Sequence, residues 1–194
     1  MQRWITTFAA IALLFGPVIR PAQTPNERSM AFDFPSGHLI RMKLSAGEYV
    51  IQATNEDKVQ VRLTSSEPRE LNKTWVKFTT DHGVARLETK DARKVRVVID
   101  VPTRSDLSIR LRAGELSVKG IEGHKDVSMT AGELTIDVGD PSAYGDVSAS
   151  VRVGEVNARP FQVEKGGFWR GFKHSGFGRY GLRATLGVGE INFL

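Results

Sequence analysis

The sequence has 194 residues, 19 of them glycine and none cysteine, with a formal net charge of +5. Without cysteine there is no disulfide, no thiolate metal site, no cysteine nucleophile and no lipid-anchored mature terminus of the bacterial lipoprotein kind. The charge falls to +3 once Arg3 and Arg20 leave with a leader, too mild to imply nucleic acid, and the length suits one domain with an ample core.

In chain order, residues 1–23 are predicted to be a secretory signal peptide. Arg3 gives the positive start, residues 5–15 are an apolar run of h-region length, and Pro17 breaks it. The run is short for a membrane span, and the main alternative to cleavage is retention as an anchor. The protein is therefore expected in the periplasm, at the cell surface or outside the cell. Residues 24–31, with Pro25, Asn26 and Glu27, are expected to be a linker, and residues 32–194 a single β-repeat domain.

Alternating apolar residues predict strands at 39–44, 49–51, 58–64, 75–79, 84–88 and 95–101, while residues 67–73 lack periodicity and carry Pro68, as a loop would. From Asp106 onward one phrase is written three times, Asp106-Leu107-Ser108, Asp126-Val127-Ser128 and Asp146-Val147-Ser148, with starts 20 residues apart. Each leads to a shared step: Ala113-Gly114-Glu115, Ala131-Gly132-Glu133 and Val153-Gly154-Glu155. Related copies stand at Ala46-Gly47-Glu48 and Val188-Gly189-Glu190. Taking glycine as zero, positions −5, −3, −1, +2 and +4 are mostly apolar, which predicts strands on both sides and an inward −1 and +2. Gly47, Gly114, Gly132, Gly154 and Gly189 are then structural: each sits in a two-residue hairpin turn or at a corner that takes up the extra residue. Both arrangements satisfy the pattern. A repeat near 20 residues must stack on its neighbours, so the expected class is all-β, a repetitive strand array of solenoid or toastrack-like form.

Residues 101–116, the Gly-Glu-apolar steps, Trp169-Arg170-Gly171-Phe172 and the closing Val188-Gly189-Glu190-Ile191 resemble the putative-adhesin family of bacterial envelope proteins. The resemblance covers residues 32–194 and implies serially stacked strands; in the sequence itself residues 182–188 and 191–194 restore the repeat and are expected to cap the chain. It carries no catalytic residues.

Several residues could carry chemistry. Glu48, Glu115, Glu133, Glu155 and Glu190 would form a carboxylate column if the copies stack, able to bind Ca²⁺ or, more simply, solvated and paired with residues such as Arg112 or Arg152. Asp106, Asp126 and Asp146 fit turn residues bonding local backbone. The four histidines stand alone, and no nucleophile elbow, metal spacing or cofactor motif is present. The expectation is a non-enzyme without metal or cofactor.

Residues 166–181 form an aromatic, basic and glycine-rich loop, and Phe168, Trp169, Arg170, Phe172, Lys173, Arg179 and Tyr180 are its candidate binding residues. Aromatic rings stack on sugars or enter a membrane interface, and cations pair with phosphate or carboxylate. The competing role is to plug the open end of the array. The expected function is an exported, non-enzymatic envelope protein presenting a β-repeat surface to an envelope glycan, membrane surface or protein. The alternatives are a structural or sensory domain that binds a partner by strand addition, and a polysaccharide-active enzyme.

Overall fold

The computed structural model describes residues 26–161 and 163–194, of which residues 163–170 are described by backbone alone. The signal peptide expected at residues 1–23 lies outside the described residues.

The chain is all-β. Its strands are β1 (Asn26–Asp33), β2 (Leu39–Leu44), β3 (Gly47–Thr54), β4 (Lys58–Ser65), β5 (Trp75–Asp81), β6 (Val84–Lys90), β7 (Arg96–Pro102), β8 (Asp106–Lys119), β9 (Lys125–Ile136), β10 (Tyr144–Ala158), β11 (Val163–Ser175) and β12 (Tyr180–Phe193). They make one open sheet.

The Gly-Glu step is a corner inside a strand. β8, β9, β10 and β12 each run through it and keep parallel, in-register partners on both sides of it, so no hairpin forms there. β2 with β3 repeats the bent shape in two pieces, since β2 pairs with the first part of β8 and β3 with the second. β6 and β7 extend it once more, against β2 and β3. Each bent unit thus contributes a first limb before the corner and a second limb after it. First limbs run β5, β6, β2, β8, β9, β12, β10, β11, and second limbs continue the other way from β3 to β7, β4 and β1.

One core lies between the limbs. Ile109, Leu111, Val127 and Leu186 face it from first limbs; Leu116, Val118, Leu134 and Ile191 face it from second limbs. Phe161 joins them, its ring centre 5.6 Å from Phe172 and 6.3 Å from Phe193.

Stacking of the corners explains their glycines. Gly114, Gly132, Gly154 and Gly189 have φ between +124° and +138°. A Cβ on Gly132 would lie 1.9 Å from the Gly114 carbonyl oxygen, and the other three are equally tight. Only glycine satisfies both the left-handed conformation and the close approach.

Five expectations change. Position −1 is not inward: Val188 is 53% exposed and Ala113, Ala131 and Val153 are half-buried, because the corner places −1 on its outer bend. Residues 26–31 belong to β1, not a linker, since Met30 and Phe32 pack on the core and the strand pairs β4 throughout. Residues 67–73 hold the helix α1 (Pro68–Lys73), with Pro68 in its first turn and Leu71 buried. Six residues with one buried contact leave no period to detect. The loop expected from residue 166 is instead mostly strand, because residues 163–175 pair β10 antiparallel. Finally, β12 does not cap the array: it lies between β9 and β10.

Candidate functional site

The structure separates the residues expected to bind. Phe172 is buried on β11 against Phe161, while Lys173 is exposed on the opposite face. The ring of Tyr180 meets His124 edge-on and lies near Tyr144, and Arg179 stacks over it with its guanidinium 4.5 Å from the ring centre. The side chains of Phe168, Trp169 and Arg170 lie outside the described residues.

The glycines after β11 have a covalent-path reason. β11 and β12 flank β10 on opposite sides, so the turn joining them must cross the start of β10. There the Gly176 N–H donates to the Gly145 carbonyl, and a Cβ on Gly178 would lie 2.2 Å from Ala143 backbone. Phe177, at the tip of this turn, is fully exposed.

The carboxylate column exists. Glu48, Glu115, Glu133, Glu190 and Glu155 are consecutive in register along the corner, and Arg96 closes one end by pairing Glu48 at 3.3 Å. Among the described residues no three acidic or histidine side chains are grouped as a metal ion would require. The aspartate phrase does not stack: the corner fixes register, so Asp126 pairs Ser108 and Arg183, two residues out of step with Asp106 and Asp146. Asp106 accepts a hydrogen bond from the backbone N–H of His124 at 2.8 Å, a contact 18 residues on in the chain and not the bond to its own turn that was expected.

The outer face of the first limbs has a different character. Alternation turns Arg41 and Lys43 of β2, Arg86 of β6, Arg110 and Arg112 of β8 and Arg183 of β12 outward, all exposed around one broad depression. Arg41 lies in register with Arg86, and Lys43 with Arg110. Glu88 and Asp126 are the carboxylates within the depression. Among the described residues no ion pair engages Arg41, Lys43, Arg110, Arg112 or Arg183, while Arg86 reaches Asp81 at 3.6 Å. The second-limb face is compensated: one Nη of Arg62 donates to both Asp100 carboxylate oxygens, at 2.9 and 3.1 Å, and the Gln52 amide N–H donates to the same carboxylate. Charge is thus divided between the two limbs, with unpaired cations on one face and a carboxylate column along the corner.

No family model and no curated protein matches the chain. Among solved structures it is similar to a putative cell adhesion protein of Clostridium sporogenes, at 18% identity and a TM-score of 0.57 over 88% of this chain and 99% of that one. The two share a fold. Two further structures match at TM-scores too low to argue from: a putative adhesin of Bacteroides fragilis (0.29, 9% identity, 89% of this chain and 99% of that) and a putative lipid binding protein of Parabacteroides distasonis (0.27, 9% identity, 58% and 55%). The resemblance to putative adhesins read from the sequence therefore holds at the level of fold.

Within this adhesin-like fold one buried polar group escaped the sequence reading. Lys125 occupies the inward row held by Leu107, Leu182 and Val147 on neighbouring strands. It is only 2% exposed, and its Nζ donates to the carbonyl of Ile121 at 2.6 Å, to that of Gly123 at 3.4 Å and to the Tyr144 hydroxyl. Burial lowers its pKa to about 8 despite the nearby carboxylates of Asp137, Asp106 and Glu122, and burial pushes the Tyr144 hydroxyl up to about 12. Counting back seven residues from each corner glycine would have found it. The same count at −6, −4 and −2 gathers Arg41, Arg183, Lys43, Arg110 and Arg112 on one face.

Proposed function

We propose that the protein is an exported, non-enzymatic component of the bacterial envelope that uses the basic first-limb face to hold an envelope constituent. In this reading the bent strands form a solenoid or toastrack-like stack whose outer wall is the working surface. The observation that carries it is the set of exposed cations, Arg41, Lys43, Arg110, Arg112 and Arg183, which outnumber the two carboxylates beside them, Glu88 and Asp126, and which no ion pair among the described residues engages. Like charges on adjacent strands repel, so such a face costs stability unless an anion occupies it. The names of the structural neighbours, a cell adhesion protein among them, agree with a binding role. A non-enzyme is supported by the separation of Glu88 and Asp126: β2 and β8 lie between their strands, which places them about 14 Å apart by strand spacing, beyond the range of paired glycosidase carboxylates.

The test is sedimentation of the purified protein with isolated envelope fractions at low and high salt, beside sequencing of the N-terminus of protein recovered from producing cells. Pelleting at low salt with release at high salt, and a terminus near residue 24, is the expected result. Protein that stays in the supernatant at both salt levels would overturn the binding role, and cytoplasmic protein starting at Met1 would overturn export.

A second reading has one observation behind it. β11 pairs only β10 among the described residues, so its other edge is a 13-residue row of backbone donors and acceptors suited to strand addition.

A further inference from the structure

We infer that the first-limb face is a binding track for a strand of acidic polysaccharide lying across the strands from Arg86 to Arg112; this rests on the binding role proposed above. Register sets the geometry. Arg86 and Arg41 are neighbours across one strand spacing of about 4.8 Å, as are Lys43 and Arg110. Successive outward residues of one strand, Arg41 and Lys43 or Arg110 and Arg112, lie about 6.8 Å apart. The result is a stepped row of five cations, Arg86, Arg41, Lys43, Arg110 and Arg112, with Arg183 set apart beyond Asp126, and an extended row of this kind is matched to a linear charged polymer, not to one compact anion.

The cations are bordered by hydroxyls and by two carboxylates, Glu88 beside Lys43 and Asp126 beside Arg183. Ser108 faces outward between Arg41 and Asp126, and Ser128 lies between Arg110 and Thr185. Guanidinium groups pair carboxylate or phosphate in bidentate fashion, and neighbouring hydroxyls satisfy sugar hydroxyls, so the mixture matches a charged glycan at both kinds of group.

A lipid surface fits less well. Membrane-bound faces carry apolar side chains that enter the headgroup boundary. Trp75, 41% exposed, is the large apolar residue on this side among those described, and Lys90 covers its ring at 5.0 Å. No apolar wedge projects from the depression, whose outward lining is charge and hydroxyl. A hydrated polymer needs no wedge.

The experiment measures affinity for polygalacturonate by calorimetry, with neutral dextran and vesicles of mixed anionic and zwitterionic phospholipid as separate arms. The variant Lys43→Ser/Arg110→Ser/Arg112→Ser is compared with Lys73→Ser/Lys94→Ser/Lys119→Ser, which removes equal charge elsewhere. Thermal circular dichroism verifies both folds, and Arg110→Glu alone replaces the first variant should it not fold. The expected result is binding to polygalacturonate and not to dextran, weakened about tenfold or more by the face variant and less than about threefold by the other. Equal losses in the two variants, or vesicle binding without polygalacturonate binding, would overturn the polysaccharide track and leave envelope sedimentation standing. Release of unsaturated product from polygalacturonate would overturn it in favour of an enzyme. Failure to bind any probe while the envelope fractions still pellet the protein would overturn this ligand alone; failure in both assays would remove the binding role itself.

Discussion

At Gly132 two demands fall on one residue. Its φ is +124°, and a Cβ would stand 1.9 Å from the oxygen of Gly114. Neither backbone can yield without moving the corner it stacks on, so Gly132→Ala should cost at least about 3 kcal/mol in chemical denaturation. Gly139→Ala is the comparison, because φ is +66° there but nothing lies within 4 Å; it should cost about 1 kcal/mol, the conformational part alone. Equal effects would mean that corner stacking contributes nothing.

Lys125 makes a pH prediction of definite sign. Its folded pKa is about 8 against an ordinary value of 10.5, so the unfolded chain holds the proton more tightly between those limits. Stability from this group therefore rises with pH across 8 to 10.5 and is lowest below 8. Tyr144 acts oppositely at the alkaline end: held near 12 against 10, it stays neutral when folded while the unfolded residue ionises, so its contribution is lost above pH 10. Lys125→Met removes the first effect. The stability difference between Lys125→Met and the parent should shift in favour of the parent by up to about 3 kcal/mol from pH 7 to pH 10. Denaturant melts at the two pH values measure it, and a pH-independent difference would place the ammonium in better solvation than its burial implies.

The element that most divided sequence from structure is β11. Its aromatic, glycine-rich composition suggested a loop, yet the residues that made it look like one have separate duties. Phe172 alternates inward against Phe161, and Gly176 and Gly178 let the following turn cross the start of β10. Composition does not record pairing: an edge strand without clean alternation is not distinguishable from a loop until its partner is known. Phe172→Ala should accordingly cost about 3 kcal/mol. Phe177→Ser at the exposed turn tip should stay within about 0.5 kcal/mol. Thermal melts decide between them, and a destabilised Phe177→Ser would indicate that the tip packs on something in solution. The slip at the Gly-Glu step was legible for the opposite reason, although a hairpin turn and a corner fitted it equally. The Gly-Glu pair is local, and its parity break survives any choice of partner, so both the slip and the glycine requirement could be read from one copy at a time.

At the scale of the molecule the sequence announces its units more clearly than their order. Register follows the corner glycine, whose close carbonyl contact recurs at every stacked corner, and overrides the 20-residue aspartate phrase, which falls out of step at Asp126. Spatial order depends on long-range pairing that short motifs do not encode, and so β12 appears between β9 and β10 and not at an end. This position gives the last strand unusual weight. It pairs β9 from Leu182 to Phe193 and β10 from Tyr180 to Phe193, and buries Leu182, Leu186, Ile191 and Phe193. Removing residues 180–194 would part the β10–β11 pair from the rest of the sheet and expose both the β9 and β10 edges together with the core beneath them. A serial stack would lose only an end repeat by the same cut and keep its interior. Deletion of residues 26–33, which removes β1 from an outer edge where it pairs β4 alone, is the matched control. The expected outcome is no cooperative thermal transition and rapid proteolysis for the chain ending at Arg179, against a lowered but cooperative transition for the β1 deletion. Because β12 follows β9 and β10 in the chain yet lies between them, native pairing of β10 with the rest of the sheet must await β12, and refolding of the parent should fall in the slow, millisecond-to-second range of non-local β topologies. A chain ending at Arg179 that melts like the parent would show that β9 and β10 can pair directly, and the order of the sheet would then be no requirement of the fold.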